Sequence, residues 1–101
     1  MKKKLEVIWS EESDIRTDEI IDYLLANFSQ KEVSHFLNLL KDFEKIVERF
    51  PETYPESSNK KGIRRAVIAK QVSILYSIDE TCIRVYTIFD NHQDPKNIEF
   101  Y

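Results

Sequence analysis

The feature that most constrains this chain is the stretch 62–95, GIRRAVIAKQVSILYSIDETCIRVYTIFDNHQDP. Three β-rich runs follow one another with only two short gaps. Gaps of that size leave no room for a crossover, so the runs pair as antiparallel neighbours. Alternation places strands at about 62–69, 72–78 and 82–89, with turns near Lys70–Gln71 and at 79–81. Val72, Ile74, Tyr76 and Ile78 are the most apolar alternating set and define the core side. The matching sets are Ile63, Val67 and Ala69 in the first run, and Ile83, Val85 and Phe89 in the third. Arg65 is the misfit among them. The opposite face then carries Arg64, Ile68, Lys70, Ser73, Leu75, Ser77, Arg84, Tyr86 and Ile88. Cations and an aromatic mixed with apolar residues suit a binding surface.

The first half supplies what covers that sheet. Residues 4–9 alternate, with Leu5, Val7 and Trp9 on one side, and predict a half-buried strand. Ser10 has the character of a helix N-cap, and Glu11 and Glu12 follow where the helix dipole favours acids. Ile21, Leu24, Leu25 and Phe28 keep helical spacing, which predicts a helix over 11–27. Ser29 and Glu32 form an S-x-x-E capping box at the start of a second helix. Val33, Phe36, Leu37, Leu40, Phe43, Val47 and Phe50 continue the stripe until Pro51 ends it. So short a gap between the helices predicts an antiparallel hairpin. Residues 51–61 form a loop, pinned by Tyr54 between two prolines. The expected fold is α+β, in the order β-α-α-β-β-β. A helical hairpin packs on one face of a mainly antiparallel four-stranded sheet, and 1–101 is a single domain.

Charge narrows the function classes. Net charge is −3, so the chain as a whole is no polyanion binder. Residues 57–78 nevertheless carry five bases (Lys60, Lys61, Arg64, Arg65 and Lys70) and no acid. Alternate side chains of a strand point to opposite faces, so these cations cannot act together. Direct nucleic-acid binding is therefore expected to be weak and salt-sensitive. The single cysteine, Cys82, cannot form an internal disulfide, which fits a reducing, cytoplasmic location. The lysine-rich start resembles a signal peptide in charge alone. Its apolar residues alternate with polar ones, and no apolar run reaches the length of a membrane span, so no membrane association is expected.

In this order the motifs resemble the RelE/ParE superfamily of type II toxin–antitoxin toxins, over nearly the whole chain. The residues that carry the resemblance are Pro51-Glu52-Thr53-Tyr54-Pro55, Gly62-Ile63-Arg64-Arg65, Tyr76-Ser77-Ile78-Asp79 and Ile88-Phe89-Asp90-Asn91-His92-Gln93-Asp94-Pro95. The last resembles the ending of the ParE-like branch, with His92 where that pattern has arginine. The resemblance implies a bacterial plasmid-stabilisation (addiction) toxin held inactive by a cognate antitoxin, with no metal and no organic cofactor. ParE-like members block DNA gyrase. RelE-like members cleave messenger RNA on the ribosome.

Cleavage through a 2′-hydroxyl needs an acid, a base and cations at the phosphate. The resemblance matches Arg64 to one family lysine. It places the second strand-two lysine at Ala66 and the strand-three arginine at Ser73, and neither residue can replace them. Lys70 and Arg84 are partial substitutes, and His92 titrates near neutrality. Arg64, His92 and Tyr101 thus make an incomplete nuclease set, with Arg64 and His92 as the catalytic candidates. As a binding surface we expect Lys61, Arg64, Lys70, Arg84 and Tyr86, with Arg64 on the open face and Arg65 supporting the fold. His35 reads as a surface residue and Cys82 as packing. Asp90, Asn91 and Asp94 read as a turn, since Asn and Asp bond their own backbone there. The ParE-like mode leads, the alternatives being a RelE-like ribosome-dependent endonuclease and an inactivated relative that only binds its antitoxin.

Overall fold

Ser10 is where the first strand becomes the first helix. Its Oγ accepts from Ser13 N at 3.0 Å, as an N-cap should, and donates to Tyr86 O at 2.7 Å. One hydroxyl thus satisfies a helix end and ties it to the last strand. In the computed structural model, which describes residues 4–70 and 72–90, the elements are β1 (Glu6–Trp9), α1 (Glu11–Asn27), α2 (Gln30–Arg49), β2 (Arg64–Ala69), β3 (Val72–Ile78) and β4 (Cys82–Asp90). Ser29 stands at the N-cap of α2 as expected, but its side chain makes no capping hydrogen bond, so the expected box is not closed. The Ser29 carbonyl accepts from Glu32 N instead. Pro51 follows the Phe50 C-cap, where α2 ends.

The strand order is β1-β4-β3-β2. The β2–β3 and β3–β4 pairs are antiparallel, and β1 runs parallel to β4. The sheet is therefore mixed but mainly antiparallel, and the expected β-α-α-β-β-β order holds. β1 spans only Cys82–Val85 of β4. α1 also packs on β4, while α2 lies across β1 and β2.

Phe43 of α2 is the hub of the core. Its ring meets Trp9 at 5.9 Å and Tyr76 at 5.5 Å, both edge-on, and Tyr54 at 6.0 Å. Ile20, Phe36, Leu40, Val47, Ala66, Ile74, Ile83, Val85 and Ile88 complete the buried cluster. The helix stripes are narrower than the spacing suggests. Val33, Phe36, Leu40, Phe43 and Val47 are buried, but Leu25, Phe28, Leu37 and Phe50 are exposed, and Ile20 takes the buried place on α1. The loop between α2 and β2 is pinned through Tyr54, as expected. The Tyr76 hydroxyl donates to Pro51 O at 2.7 Å. Gly62 turns the chain into β2 at φ 85, a left-handed conformation that a side chain would strain.

Two face assignments differ from the sequence reading. In β2, Arg64 pairs with Tyr76 and Ala66 with Ile74. Directly paired residues share a face, so Arg64 and Ala66 turn toward the helices. Arg65 and Val67, paired with Leu75 and Ser73, turn away. The β2 alternation is thus one residue out of step with the expectation. In β4, Leu75 pairs with Thr87 while Tyr76 pairs with Val85, so Tyr86 is the extra residue of a β-bulge. Beyond the bulge the faces swap. Ile88 is core, and Phe89 pairs with Ser73 on the far face.

Candidate functional site

The sheet face away from the helices is the candidate site, and register builds it row by row. Arg65, Leu75 and Thr87 form its central row. Val67, Ser73 and Phe89 lie on one side of that row. Ser77, Arg84 and Tyr86 lie on the other, with Ser77 Oγ and Tyr86 Oη 2.9 Å apart. The face is not flat. Leu75 and Thr87 are each 1% exposed and Ser73 is 2% exposed. Lys60 and Ile63 of the α2–β2 loop, together with Glu12 of α1, join Leu75, Tyr86 and Thr87 around a cleft of about 370 Å3.

Polar groups on this face are unequally matched. Arg65 Nε donates to Ser73 Oγ at 3.3 Å. Arg84 Nε lies 2.5 Å from Asp79 Oδ2 in an exposed ion pair. The hydrogen bond from Arg84 holds the Asp79 carboxyl below its usual range, and Asp79 in turn raises Arg84. Arg84 is therefore already charge-matched. Cys82 is buried, with its Sγ 3.7 Å from the same carboxylate oxygen. Thr87 Oγ1 differs from all of these: it is buried and has no hydrogen-bond partner among the described residues.

The residues expected to form one surface are dispersed. Arg84 and Tyr86 do share the face. Lys61 is exposed in the turn before Gly62. Lys70, at the β2–β3 turn, lines a different recess on the helix side with Glu32, His35, Phe36 and Asp90. Arg64 is the clearest departure. Its Nη1 donates to Tyr54 O at 2.7 Å on the helix side, where it holds the loop rather than facing the cleft. His92 lies outside the described residues, as do Asn91, Asp94 and Tyr101. The sequence reading assigned Arg65 to the core side and passed over Lys60, Glu12 and Thr87. Lys60 was visible in the basic run, but no periodicity could bring Glu12 or Thr87 to it. Glu12 arrives through the chain path of α1, and Thr87 is turned outward by the bulge. Among the described residues, no three His, Cys, Asp or Glu side chains gather as metal ligands, and no helix is long and apolar enough to cross a membrane.

No family model and no curated protein matches the sequence. Solved structures do match the fold. A chain of the chromosomal ParDE toxin–antitoxin system from P. aeruginosa superposes with a TM-score of 0.73 at 12% identity, over 86% of this chain and 96% of that one. The E. coli DinJ–YafQ toxin–antitoxin complex contributes a chain with TM-score 0.60 at 11% identity, covering 90% of this chain and 97% of that one. The YoeB dimer from Staphylococcus aureus gives 0.55 at 18% identity, covering 83% and 93%.

Proposed function

From a chain with the fold of the RelE/ParE-superfamily toxins, we propose that the protein is the toxin of a type II toxin–antitoxin module. It is neutralised by a cognate antitoxin and acts in the ParE-like way, by binding DNA gyrase and not by cutting RNA. The observation that carries the non-nuclease reading is the chemistry of the central row. Leu75 and Thr87 stand at its centre, and neither can serve as a proton donor or acceptor of suitable pKa or balance a growing phosphate charge. The cations near them are committed: Arg64 to Tyr54 O on the helix side, Arg84 to Asp79. The acidic balance of the chain points the same way, since an RNA surface repels net negative charge.

One observation favours the nuclease as second reading. Arg65 Nε lies beside Ser73 Oγ. A guanidinium thus reaches the position at which the family resemblance expects an arginine.

The test is induction of the chain alone, and then together with the short reading frame beside it. Growth arrest that co-induction relieves supports the toxin assignment. Unchanged growth on induction alone contradicts it and leaves the inactivated relative.

A further inference from the structure

The cleft on the strand face contains one feature the proposed function does not use. Thr87 Oγ1 is fully buried and unpartnered, at a place where a hydroxyl costs free energy and a methyl would not. Buried polar groups in folded proteins are nearly always satisfied, so an orphan in a cleft wall points to a group supplied from outside. The other walls describe that group. Leu75 and Ile63 are apolar, and Tyr86 adds an aromatic ring whose hydroxyl is already engaged with Ser77. Glu12 and Lys60 place one negative and one positive charge at the site. A phosphate would meet Glu12, and an ammonium would meet Lys60, so the charges favour a neutral tip. At about 370 Å3 the cleft lies at the low end of small-molecule sites, enough for one large side chain.

We infer that the cleft is an anchor pocket for a tyrosine side chain of a protein partner, its ring against Leu75 and Ile63 and its phenol hydroxyl hydrogen-bonded to Thr87 Oγ1. Tyrosine combines an apolar body with one neutral hydroxyl that can both donate and accept, and it is enriched where interfaces concentrate their binding energy. The inference rests on the reading above that the chain works by binding other proteins. It adds which face is used and what enters it.

The test uses p-cresol, the side chain of tyrosine, against toluene, the same ring without the hydroxyl. Each is titrated into the full chain while backbone amide resonances are followed. The expected result is millimolar binding of p-cresol that moves the Leu75, Tyr86 and Thr87 amides, with toluene about threefold to tenfold weaker, the range of one neutral hydrogen bond. Thr87→Val should fold at least as stably as the parent, since it replaces an unpartnered hydroxyl by a methyl. It should also erase the difference between the two probes. A purely structural Thr87 would give the same stability result with no change in the ratio. Equal binding of the probes by the parent chain, or no binding, overturns the inference. So does uptake that appears only in Tyr101→Ala, because the chain's own tyrosine would then be the occupant. Preferential uptake of adenosine monophosphate would mark a nucleotide site instead. None of these outcomes depends on toxicity, so a failed titration leaves the growth assay standing, and the reverse also holds.

Discussion

Arg64 and Tyr76 face each other across β2 and β3, and both hold the same loop from the helix side. Arg64 Nη1 donates to Tyr54 O and Tyr76 Oη donates to Pro51 O, each at 2.7 Å. The loop so held carries Lys60 and Ile63 to the other side of the sheet, where they wall the cleft. The two anchors are thus structural, although they lie one strand's thickness from the candidate site.

Arg64→Ala should therefore destabilise the fold. Losing a charged, partly buried hydrogen bond costs about 1.5–3 kcal/mol. Arg65→Ala loses only a long contact to Ser73 Oγ and should stay within about 0.5 kcal/mol of the parent. Urea denaturation of both variants checks this. Equal losses, or a larger loss for Arg65→Ala, would mean that the β2 register is wrong.

Burial raises the Tyr76 hydroxyl from 10.0 to about 12, opposed in part by the nearby Arg64 charge. The folded state thus keeps a proton that the unfolded state releases. Stability from this group is complete below pH 10.0 and is lost as the pH climbs toward about 12. Tyr54 is shifted in the same direction, chiefly by burial. Tyr76→Phe should be less stable than the parent at pH 7, because Pro51 O loses its donor. It should also lose less stability between pH 9 and pH 11. Stability measured across that interval for both proteins gives the answer, and parallel curves would contradict the assignment.

Ala66 and Val67 offer a second check on the faces. Ala66 is 0% exposed beneath the helices and Val67 is 57% exposed. Ala66→Leu forces extra volume into a filled core and should cost about 1–3 kcal/mol. Val67→Thr should fall within about 0.5 kcal/mol of the parent, as a substitution at an exposed site does. Thermal midpoints of the two variants decide it, and a tolerated Ala66→Leu would overturn the core assignment.

Most of the fold was legible in the sequence because its signals are local. The Ser10 cap, the stop at Pro51, the 11–27 helix and the three closely spaced strands each depend on a few neighbouring residues. The faces depend on more. β2 has apolar residues on both alternations, Ala66 and Ile68 on one and Val67 and Ala69 on the other, so composition could not choose between them. The choice is made by α2, which packs on the side with the smaller residue. In β4 the alternation is sound as far as Val85, and then the Tyr86 bulge inverts it. Nothing in the residue types around Tyr86 marks a bulge. The candidate site inherits both errors: Arg64 moved off the open face, Arg65 moved onto it, and Thr87 entered the cleft. Arg84 and Tyr86 kept their places because they precede the inversion or form it.

The account's central claim is that the chain acts by binding gyrase and carries no nuclease chemistry. The most direct measurement is the superhelicity of a reporter plasmid after induction of the chain alone, with the plasmid's own transcript mapped in the same cells. The account predicts that the plasmid loses negative supercoiling while the transcript stays intact. Transcript cleaved within its codons, with plasmid supercoiling unchanged, would contradict it.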